Sequence, residues 1–599
     1  MRGIRGALAL AWQAAPYGVI LRAVLTAALA VLPVAAAWST KIVLDRLSAP
    51  SPGPAGQLLA PVALLATCGV MGALLPQVQR YVEAESSRAT NLFLRVRLFS
   101  ALGRLKGLGR VEDPRFHDRL QMAGQGGLGQ VVSQVMGLSQ GLIIVAGFVG
   151  TLTVLNPVMT AVVLLAAAPV VRAELVMGRR RAQVMWDLSP TVRREVFYAD
   201  LLTNPTAAKE IRLFDLGELF GRRMADEIRA INRQERALDG RELRVQSALM
   251  VVGAVVAGAG LGWAVLAAHS GRLTVGDVSV LVAAMAGVQG GLRAVIQNLG
   301  QMHQELLILD HYCAVVDAEP DLAIAVPGRP VPDLREGIEL RDVWFRYGDD
   351  HPWVLRGVSF TITAGASTAL VGLNGAGKST IVKLLCRLYD PTRGAILWDG
   401  VDLREFDVDE LRGRIGTVFQ DFMQYELSAA ENIAVGDAAI LDDRSRIEAA
   451  SAYAGIDPMI RALPDSYDTM LTRMFSSNSD RDDPGTGVLL SGGQWQRVAV
   501  ARGLMRRDRA LLILDEPSSG LDAEAEHEIH ARLRTLRRGR TSILISHRLS
   551  TVRDADSIVV LSDGVIAECG AHGELMVEQG GYARLFTLQA SGYHDEPRP

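Results

Sequence analysis

The stretch LLSGGQWQRVAVARGLMRRDRALLILDEPSSGLD, from Leu489 to Asp522, contains a Gly-Gly turn and, further on, an Asp-Glu pair after an apolar run. A Gly-Gly turn lets the backbone approach a ligand closely, and the helix that it opens offers its positive N-terminal end to an anion. The apolar run predicts a buried strand, and Asp515 and Glu516 then lie at its carboxyl end, where ligands bind in α/β domains. The stretch therefore predicts an α/β domain that binds an anionic ligand.

A second phosphate-binding pattern lies upstream, in STALVGLNGAGKST, which predicts a strand, a glycine-rich turn and a helix. The spacing of Gly372, Gly377, Lys378 and Ser379 is that of a P-loop, whose backbone N–H groups curl around phosphates. In such a loop Lys378 reaches the β- and γ-phosphates, and the Ser379 hydroxyl can ligate Mg²⁺. This pattern predicts a P-loop ATPase domain.

The carboxylate pair completes this predicted site. We expect Asp515 to hold Mg²⁺ through water and Glu516 to polarise an attacking water, with a helix-capping or surface acid as the alternative for Glu516. The helix after Ser491 offers a second phosphate-facing end, and two such ends are hard to place on one ATP. We therefore expect two domains to clamp nucleotide head to tail, each Ser491 helix facing the ATP of the other copy.

The composition indicates a membrane protein with more than one domain. The chain has 599 residues, of which 49% are hydrophobic, and its mean hydropathy is +0.20. The formal net charge of −3 gives no electrostatic reason to expect nucleic acid as a partner. The four cysteines are scattered without a CxxC pair, so neither a disulfide framework nor a zinc site is predicted.

The first half of the chain contains six apolar spans of roughly 20 residues, the length of a membrane-crossing helix. They are 20–42, 57–76, 133–155, 157–177, 246–268 and 277–299. Two long connections, 77–132 and 178–245, are rich in Arg and Glu but keep apolar residues at helical spacing. They are predicted to be helices that continue past the membrane, with a disordered charged loop as the alternative. Their arginines place them, together with the N-terminus, in the cytoplasm.

The predicted fold class is a multi-domain membrane protein, in which an all-α six-helix transmembrane domain precedes an α/β P-loop ATPase domain. The predicted segments are a transmembrane domain (1–317), a proline-rich linker (318–336), an α/β domain (337–590) and a disordered tail (591–599). Alternating strand and helix patterns after the linker favour a largely parallel sheet. No short apolar stretch with a cleavage site follows the N-terminal arginines, so a removed signal peptide is not expected.

The P-loop, LSGGQ and LLILDEP, in this order, resemble the nucleotide-binding domain of ABC transporters. The six spans ahead of them resemble an exporter-type half-transporter, and this resemblance covers nearly the whole chain. It implies an ATP hydrolase coupled to transport in the cytoplasmic membrane, with both termini in the cytoplasm and with ATP and Mg²⁺ as cofactors. A second copy of the chain completes two sites most simply, and a related half-transporter is the alternative partner.

The resemblance also implies roles for individual residues. The catalytic residues are Glu516, His547, Lys378 and Gln420. The ATP contacts are Tyr347, Gly372, Asn374, Gly375, Ala376, Gly377, Lys378, Ser379, Thr380, Ser491, Gly492, Gly493, Gln494 and Asp522. The Mg²⁺ ligands are Ser379, Gln420 and Asp515.

Several of these residues have an ordinary alternative when each is taken alone. Tyr347, which matches the aromatic that stacks on adenine, could be a strand aromatic. Gln420, which matches the glutamine that senses Mg²⁺ and contacts the transmembrane half, could be a surface amide. His547, which matches the histidine at the γ-phosphate, could be a core histidine. Asp522 ends the loop Ser519–Asp522, which matches the loop that contacts the other copy.

One segment departs from the family pattern. Such exporters usually carry a Glu before LSGGQ that touches the transmembrane coupling helices, whereas this chain has TRMFSSNSDRDDPGTGV with Asp482 and Asp483. The candidate coupling helices themselves are 112–118 and 198–206.

The cargo is predicted from weaker likenesses. Trp495 after LSGGQ, the phrase FQDFMQYELSAAENI and LDEPSSGLD resemble exporters of lanthionine-containing peptides, here without a peptidase domain before the first span. In the sixth span, Gln289, Arg293 and Gln297 recur every four residues on one helix face and are candidate cargo contacts. An arginine that reaches for the cytoplasmic interface is the alternative for Arg293.

The main prediction is therefore export of a modified peptide or another amphipathic small molecule by alternating access. The alternatives on the same fold are an importer, for example of a metal chelate, and a lipid flippase. A nucleotide-gated channel or a sensor is the alternative from another class.

Overall fold

The computed structural model describes residues 3–49, 56–124, 128–204, 207–323, 328–474, 487–506 and 509–591. The chain divides into two compact units. The first unit comprises Met1–Leu102 and His117–Ala318, and the second comprises Gly103–Phe116 and Glu319–Pro599.

The first unit is helical. Its helices, of which α3 and α4 each have one end in the second unit, are α1 (Ile4–Ala14), α2 (Pro16–Leu47), α3 (Gly56–Arg104), α4 (Pro114–Gly124), α5 (Leu128–Leu155), α6 (Pro157–Thr203), α7 (Ala208–Leu213), α8 (Gly217–His269) and α9 (Val275–Val316).

Each of the six predicted spans lies within one long helix, namely α2, α3, α5, α6, α8 or α9. In the described part of the chain, five helices are long and apolar enough to cross a membrane, in α2, α3, α5, α8 and α9. The fourth predicted span, 157–177, begins α6 and includes several side chains outside the described set. The charged connections are largely helical, because α3, α6 and α8 continue well beyond their apolar parts, so the disordered-loop alternative is wrong for the described residues.

Helices α5 and α9 approach each other closely at a pair of glycines. A Cβ on Gly291 of α9 would lie 3.1 Å from the Gly141 carbonyl oxygen and 2.8 Å from Cγ2 of Val145. In return, a Cβ on Gly141 of α5 would lie 2.9 Å from the Gly291 carbonyl oxygen. Small residues at such positions let helix backbones approach within the membrane, where packing drives helix association.

We expect Gly291→Val to lower the thermal stability of the purified protein in detergent, because the added methyl groups overpack the α5–α9 contact at a cost of about 1–3 kcal/mol. Gly290→Val is the matched control, since a Cβ on Gly290 meets nothing within 4 Å. A thermal unfolding curve of each variant measures the difference. Equal stability of the two variants would show that this glycine pair does not set the helix spacing.

The second unit is built on two sheets. The antiparallel sheet has the order β2-β1-β4-β5, and the six-stranded sheet has the order β10-β9-β3-β8-β7-β6. All neighbours in the six-stranded sheet are parallel except β10 and β9. The strands are β1 (Gly337–Phe345), β2 (Leu355–Thr363), β3 (Ser367–Gly372), β4 (Arg393–Trp398), β5 (Val401–Asp402), β6 (Ile415–Val418), β7 (Leu511–Asp515), β8 (Ser542–Ile545), β9 (Ser557–Ser562) and β10 (Val565–Gly570).

Helices cover the six-stranded sheet, which explains why its central strands read as continuous apolar runs. The helices of this unit are α10 (Lys378–Leu385), α11 (Val408–Gly413), α12 (Ala429–Ala434), α13 (Arg444–Tyr453), α14 (Asp457–Arg461), α15 (Gly492–Leu504), α16 (Ala523–Arg537), α17 (Leu549–Val552), α18 (His572–Glu578) and α19 (Gly581–Ser591). The P-loop helix α10 packs in one hydrophobic cluster with the antiparallel sheet, whereas α15 packs in another with α12 and α13. The core therefore holds α10 and α15 in separate clusters.

The predicted linker and the predicted tail are each described only in part. Residues 328–336 of the predicted linker belong to the second unit. At their end, the Asp399 carboxylate accepts hydrogen bonds from the backbone N–H groups of Arg335, Glu336 and Gly337. The predicted tail lies outside the described residues except for Ser591, which ends α19.

Candidate nucleotide site

The P-loop joins β3 to α10 through a turn that only glycine fits well. Gly375 and Gly377 have φ angles of 82° and 103°, which place both in the left-handed region. A Cβ on Gly377 would also lie 2.6 Å from Cδ2 of Leu355, so a side chain has no room there. Asn374 precedes Gly375 and Ala376 lies between the two glycines, and the backbone N–H groups of both residues belong to the same turn.

The Lys378 ammonium folds back over this turn. Its Nζ donates to the carbonyl oxygens of Gly372, at 2.7 Å, and Leu373, at 2.9 Å. Burial lowers the pKa of Lys378, while the carboxylates of Glu516 and Asp515 act in the opposite direction. A phosphate group beside this ammonium would favour its charged form in the same way as the carboxylates do.

Asp515 and Ser379 meet at the carboxyl end of β7. Asp515 is 4% exposed, and burial together with the adjacent Glu516 raises its pKa to about 6, while a hydrogen bond from Ser379 and the charge of Lys378 lower it. A buried carboxylate beside a hydroxyl is an oxygen-rich pair of the kind that Mg²⁺ prefers, and a divalent cation would offset the buried charge. These two residues therefore fit a Mg²⁺ site.

Both oxygens of the Glu516 carboxylate are oriented by neighbouring side chains. Oε2 accepts from Nε2 of Gln420 at 3.0 Å, and Oε1 lies 3.3 Å from Nδ1 of His547. The Glu516 backbone has a φ of 47°, and its N–H donates to the Ile545 carbonyl at 3.0 Å. The structure thus brings together three predicted catalytic residues, and Gln420 contacts Glu516 through the amide group that was predicted to ligate Mg²⁺.

Tyr347 lies beside α10 with its ring partly open. It is 40% exposed, and its hydroxyl is 3.1 Å from that of Thr380, which is buried. The rings of Phe345 and Tyr389 meet it edge-on, with centroids 4.9 and 5.4 Å away. Since its neighbours fix the orientation of the ring, Tyr347 offers a rigid aromatic surface on which a base could stack.

Residues 491–494, here called the signature turn, cap α15 with their own side chains. The Ser491 hydroxyl accepts from the Gln494 N–H at 3.3 Å, and the Gln494 side chain accepts from the Ser491 N–H at 2.8 Å. Ser491, Gly492 and Gly493 begin a helix whose N-terminal N–H groups have no partners within it, as at any helix start. Trp495, one turn along, is 6% exposed and belongs to the core.

Asp522 caps the next helix in the same manner. Its carboxylate accepts from the Ala525 N–H at 2.8 Å at the start of α16. Gly520, two residues earlier, has a φ of 77°, and its carbonyl lies 3.4 Å from the position of a Cβ on Gly493. The loop before α16 and the signature turn therefore lie side by side in one chain.

The first candidate coupling segment belongs to the second unit up to Phe116. Within this segment, the Glu112 carboxylate contacts Nζ of Lys383 at 2.9 Å and accepts from the Tyr389 hydroxyl at 2.5 Å. These residues surround Tyr347, since Lys383 Nζ lies 5.3 Å from its ring centroid. Lys383 and Tyr389 were not predicted from the sequence, because a lysine and a tyrosine near a P-loop helix carry no motif of their own.

The other predicted coupling elements are described only in part. Residues 198–203 of the segment 198–206 form the end of α6, and residues 205 and 206 lie outside the described residues. Asp482 and Asp483 also lie outside them. The candidate cargo residues Gln289, Arg293 and Gln297 are all on α9, and all three side chains are exposed in the single chain.

One family model and several known proteins match parts of this chain. The ABC transporter family model matches residues 355–519. The chain is 39% identical over 320 residues to an ATP-dependent lipid A-core flippase of Alkalilimnicola ehrlichii, covering 53% of this chain and 51% of the relative. It is 38% identical over 318 residues to the protein of the same name from Salmonella typhimurium, covering 53% and 52%. The matched region thus spans about half the length of these relatives.

A solved structure matches nearly the whole chain. It is the structure of a bacterial Atm1-family ABC exporter with ATP bound, with a TM-score of 0.79 and 25% sequence identity, and the match covers 97% of this chain and 98% of that one. The predicted fold class is therefore confirmed. The chain carries an ABC transporter domain behind a helical transmembrane domain, which is the arrangement of an exporter-type ABC half-transporter.

Proposed function

We propose that this protein is an ATP-driven exporter of the cytoplasmic membrane that works by alternating access. The observation that carries the proposal is the position of Glu516, whose two carboxylate oxygens are held by Gln420 and His547. The same carboxylate lies close enough to Lys378 to influence its pKa. A P-loop lysine, an oriented carboxylate and a histidine together suit phosphoryl transfer to water.

In this mechanism, the P-loop backbone and Lys378 bind the phosphates, and Tyr347 stacks on the base. Ser379 and Asp515 would hold Mg²⁺, which supplies charge neutralisation on the phosphates when it is bound. Glu516 accepts a hydrogen bond from the attacking water and orients it. Each step uses groups that the fold already positions, so most of the rate enhancement comes from positioning and electrostatics.

The helix end at the signature turn favours a dimer. Helices α10 and α15 pack in separate hydrophobic clusters. Since two phosphate-facing helix ends are hard to place on one ATP, we expect the N-terminus of α15 to face an ATP bound by another copy. Closure of two such domains on ATP draws the cytoplasmic ends of the helices together and opens the cavity outward, and hydrolysis releases them. A homodimer is the simplest assembly, and a heterodimer with a related half-transporter is the alternative.

For the cargo, we favour an amphipathic lipid with an anionic headgroup. The names of the relatives support the lipid flippase alternative better than the peptide export first predicted from the sequence. Arg293 lies near the cytoplasmic end of the predicted span 277–299 and is exposed on α9 with Gln289 and Gln297. A cation beside two amides on one face of a predicted membrane span suits a phosphate-bearing headgroup.

We expect ATP hydrolysis by the protein in liposomes to rise several-fold when lipid A or another anionic lipid replaces a zwitterionic lipid. A fluorescent anionic lipid should move between leaflets only with ATP. Arg293→Ala should remove most of the stimulation, whereas Arg236→Ala, an exposed arginine of α8, should keep it.

The same assay separates the alternatives. Stimulation by a lanthionine-containing peptide and not by lipid would restore the peptide prediction. ATP-driven uptake into right-side-out cells, with no export from them, would indicate an importer. ATP binding without measurable turnover would indicate a channel or sensor.

A further inference from the structure

The turn that carries His547 is held from outside by two side chains that no motif predicts. It follows β8 and consists of His547, Arg548 and Leu549. Within the turn, the Arg548 N–H donates to the Ser546 hydroxyl at 3.0 Å, and the Thr551 hydroxyl donates to the Arg548 carbonyl at 2.7 Å. These local bonds shape the turn, but they do not attach it to the rest of the domain.

The first outside contact comes from α16. The Glu526 carboxylate pairs with the Arg548 guanidinium. Glu526 is 8% exposed, so it is a buried acid that needs a partner. The same carboxylate lies 3.5 Å from both the Ser518 hydroxyl and Nε2 of His530.

His530 does not supply the charge that Glu526 requires. Burial, helped by Arg537 and Arg534, lowers the pKa of His530 to about 4, so the imidazole is neutral near pH 7. Its Nε2 lies 2.9 Å from the Ser518 hydroxyl, which is its hydrogen-bond partner. Among the contacts of Glu526 in the described residues, Arg548 is therefore the charged one at neutral pH.

The second outside contact comes from α19, the last helix of the described residues. The Gln589 side chain brackets the turn, since Nε2 donates to the His547 carbonyl and Oε1 accepts from the Leu549 N–H at 2.9 Å. One amide thus fixes the backbone on both sides of Arg548. His547 itself is 60% exposed at its side chain, so burial does not fix its position.

We propose that Glu526 and Gln589 are positioning residues for ATP hydrolysis, which hold the His547 turn so that the imidazole reaches the Glu516 carboxylate. Glu526 also contacts Ser518, two residues after Glu516, so one acid joins the loop that carries the general base to the turn that carries the histidine. Helix α19 thereby helps to position a residue of the nucleotide site. This inference rests on the proposed ATPase function.

The test compares matched variants in steady-state hydrolysis and in MgATP binding. We expect Glu526→Gln and Gln589→Leu each to lower kcat by about tenfold or more, with little change in the Kd for MgATP, because misplacing a catalytic group by about 1 Å can cost about 100-fold. Glu528→Gln is the control on α16, since Glu528 forms an exposed pair with Arg532 at 2.6 Å. Thr587→Val is the control on α19. Arg548→Lys should keep most of the activity that Arg548→Met loses.

A second comparison separates positioning from general stabilisation. In a His547→Ala background, Glu526→Gln should change kcat by less than about twofold, because both substitutions then remove the same contribution. If the two losses multiply instead, or if kcat and MgATP affinity fall together, Glu526 is a structural residue and the proposal is overturned. The proposal is also overturned if Glu526→Gln and Gln589→Leu have the same kcat as the controls Glu528→Gln and Thr587→Val.

Hydrogen exchange on the full-length protein tests the contacts independently of turnover. Gln589→Leu and Glu526→Gln should speed exchange in the peptide that contains Leu549, and the two controls should leave it unchanged. If the wild-type protein hydrolyses no ATP, the proposed function fails, while this exchange measurement still decides whether the two side chains hold the turn. Unchanged exchange in both variants refutes the contacts themselves.

Discussion

Replacing Glu516 by Gln lowers ATP turnover by about 1,000-fold or more and leaves MgATP binding intact. The amide keeps the size of the carboxylate but cannot take a proton from water, and a positioned general base contributes about 100- to 10,000-fold. A 1,000-fold loss corresponds to about 4 kcal/mol of transition-state stabilisation. Because hydrolysis releases the clamp in the proposed cycle, the variant should also accumulate as a closed, ATP-bound dimer.

Phosphate release under single-turnover conditions measures the first effect, and size-exclusion chromatography with ATP measures the second. Glu528→Gln is again the matched control, since it removes an exposed glutamate that contacts Arg532. Phosphate release at the wild-type rate would overturn the assignment of Glu516 as the base. If the variant is slow but stays monomeric with ATP, Glu516 remains the general base, and the proposed closed dimer is wrong.

The second large effect is expected at Lys378. Lys378→Ala should weaken MgATP binding by about tenfold or more, because a hydrogen bond to a charged group contributes about 1.5–3 kcal/mol. The lysine Nζ now bonds to the carbonyl oxygens of Gly372 and Leu373, so the substitution removes a cation that the phosphates would otherwise meet. It also leaves Asp515 and Glu516 without this nearby positive charge.

Equilibrium binding of a fluorescent ATP analogue with Mg²⁺ checks this expectation. Lys209→Ala is the control, since Lys209 is exposed on α7 in the other unit. An unchanged affinity for ATP in Lys378→Ala would contradict the P-loop assignment.

Much of the fold could be predicted because short stretches of sequence, such as apolar runs and glycine turns, indicate it. Each predicted span is a run of apolar residues long enough for a membrane, and each lies in one long helix. The strands β3, β7 and β8 are short apolar runs because helices cover both faces of their sheet. The P-loop is recognisable because its turn demands glycine at Gly372, where a Cβ would lie 2.4 Å from the Leu561 carbonyl oxygen, and at Gly377, where φ is 103°. In these cases the physical constraint acts on neighbours in the sequence.

The cargo prediction, which the relatives support less well than the lipid flippase alternative, shows the limits of local resemblance. It rested in part on Trp495, which the structure places in the hydrophobic core beside α12 and α13. A core aromatic reports on the packing of the ATPase domain and carries no information about what the transmembrane helices bind. The phrases around Gln420 and Asp522 have the same limit, since both residues contact groups of the nucleotide domain.

By itself, the sequence predicted the six apolar spans, the P-loop domain behind them and the residues that we propose contact the phosphates. Only the tertiary structure decided which of these groups touch, as with Gln420 and His547 on the two oxygens of Glu516. It alone placed Glu526 and Gln589 on the His547 turn and Glu112 beside Lys383. The physical reason is that glycine turns and apolar runs are constrained by their own backbone and solvent. A contact between distant side chains depends on how strands and helices pack, and no local pattern encodes that.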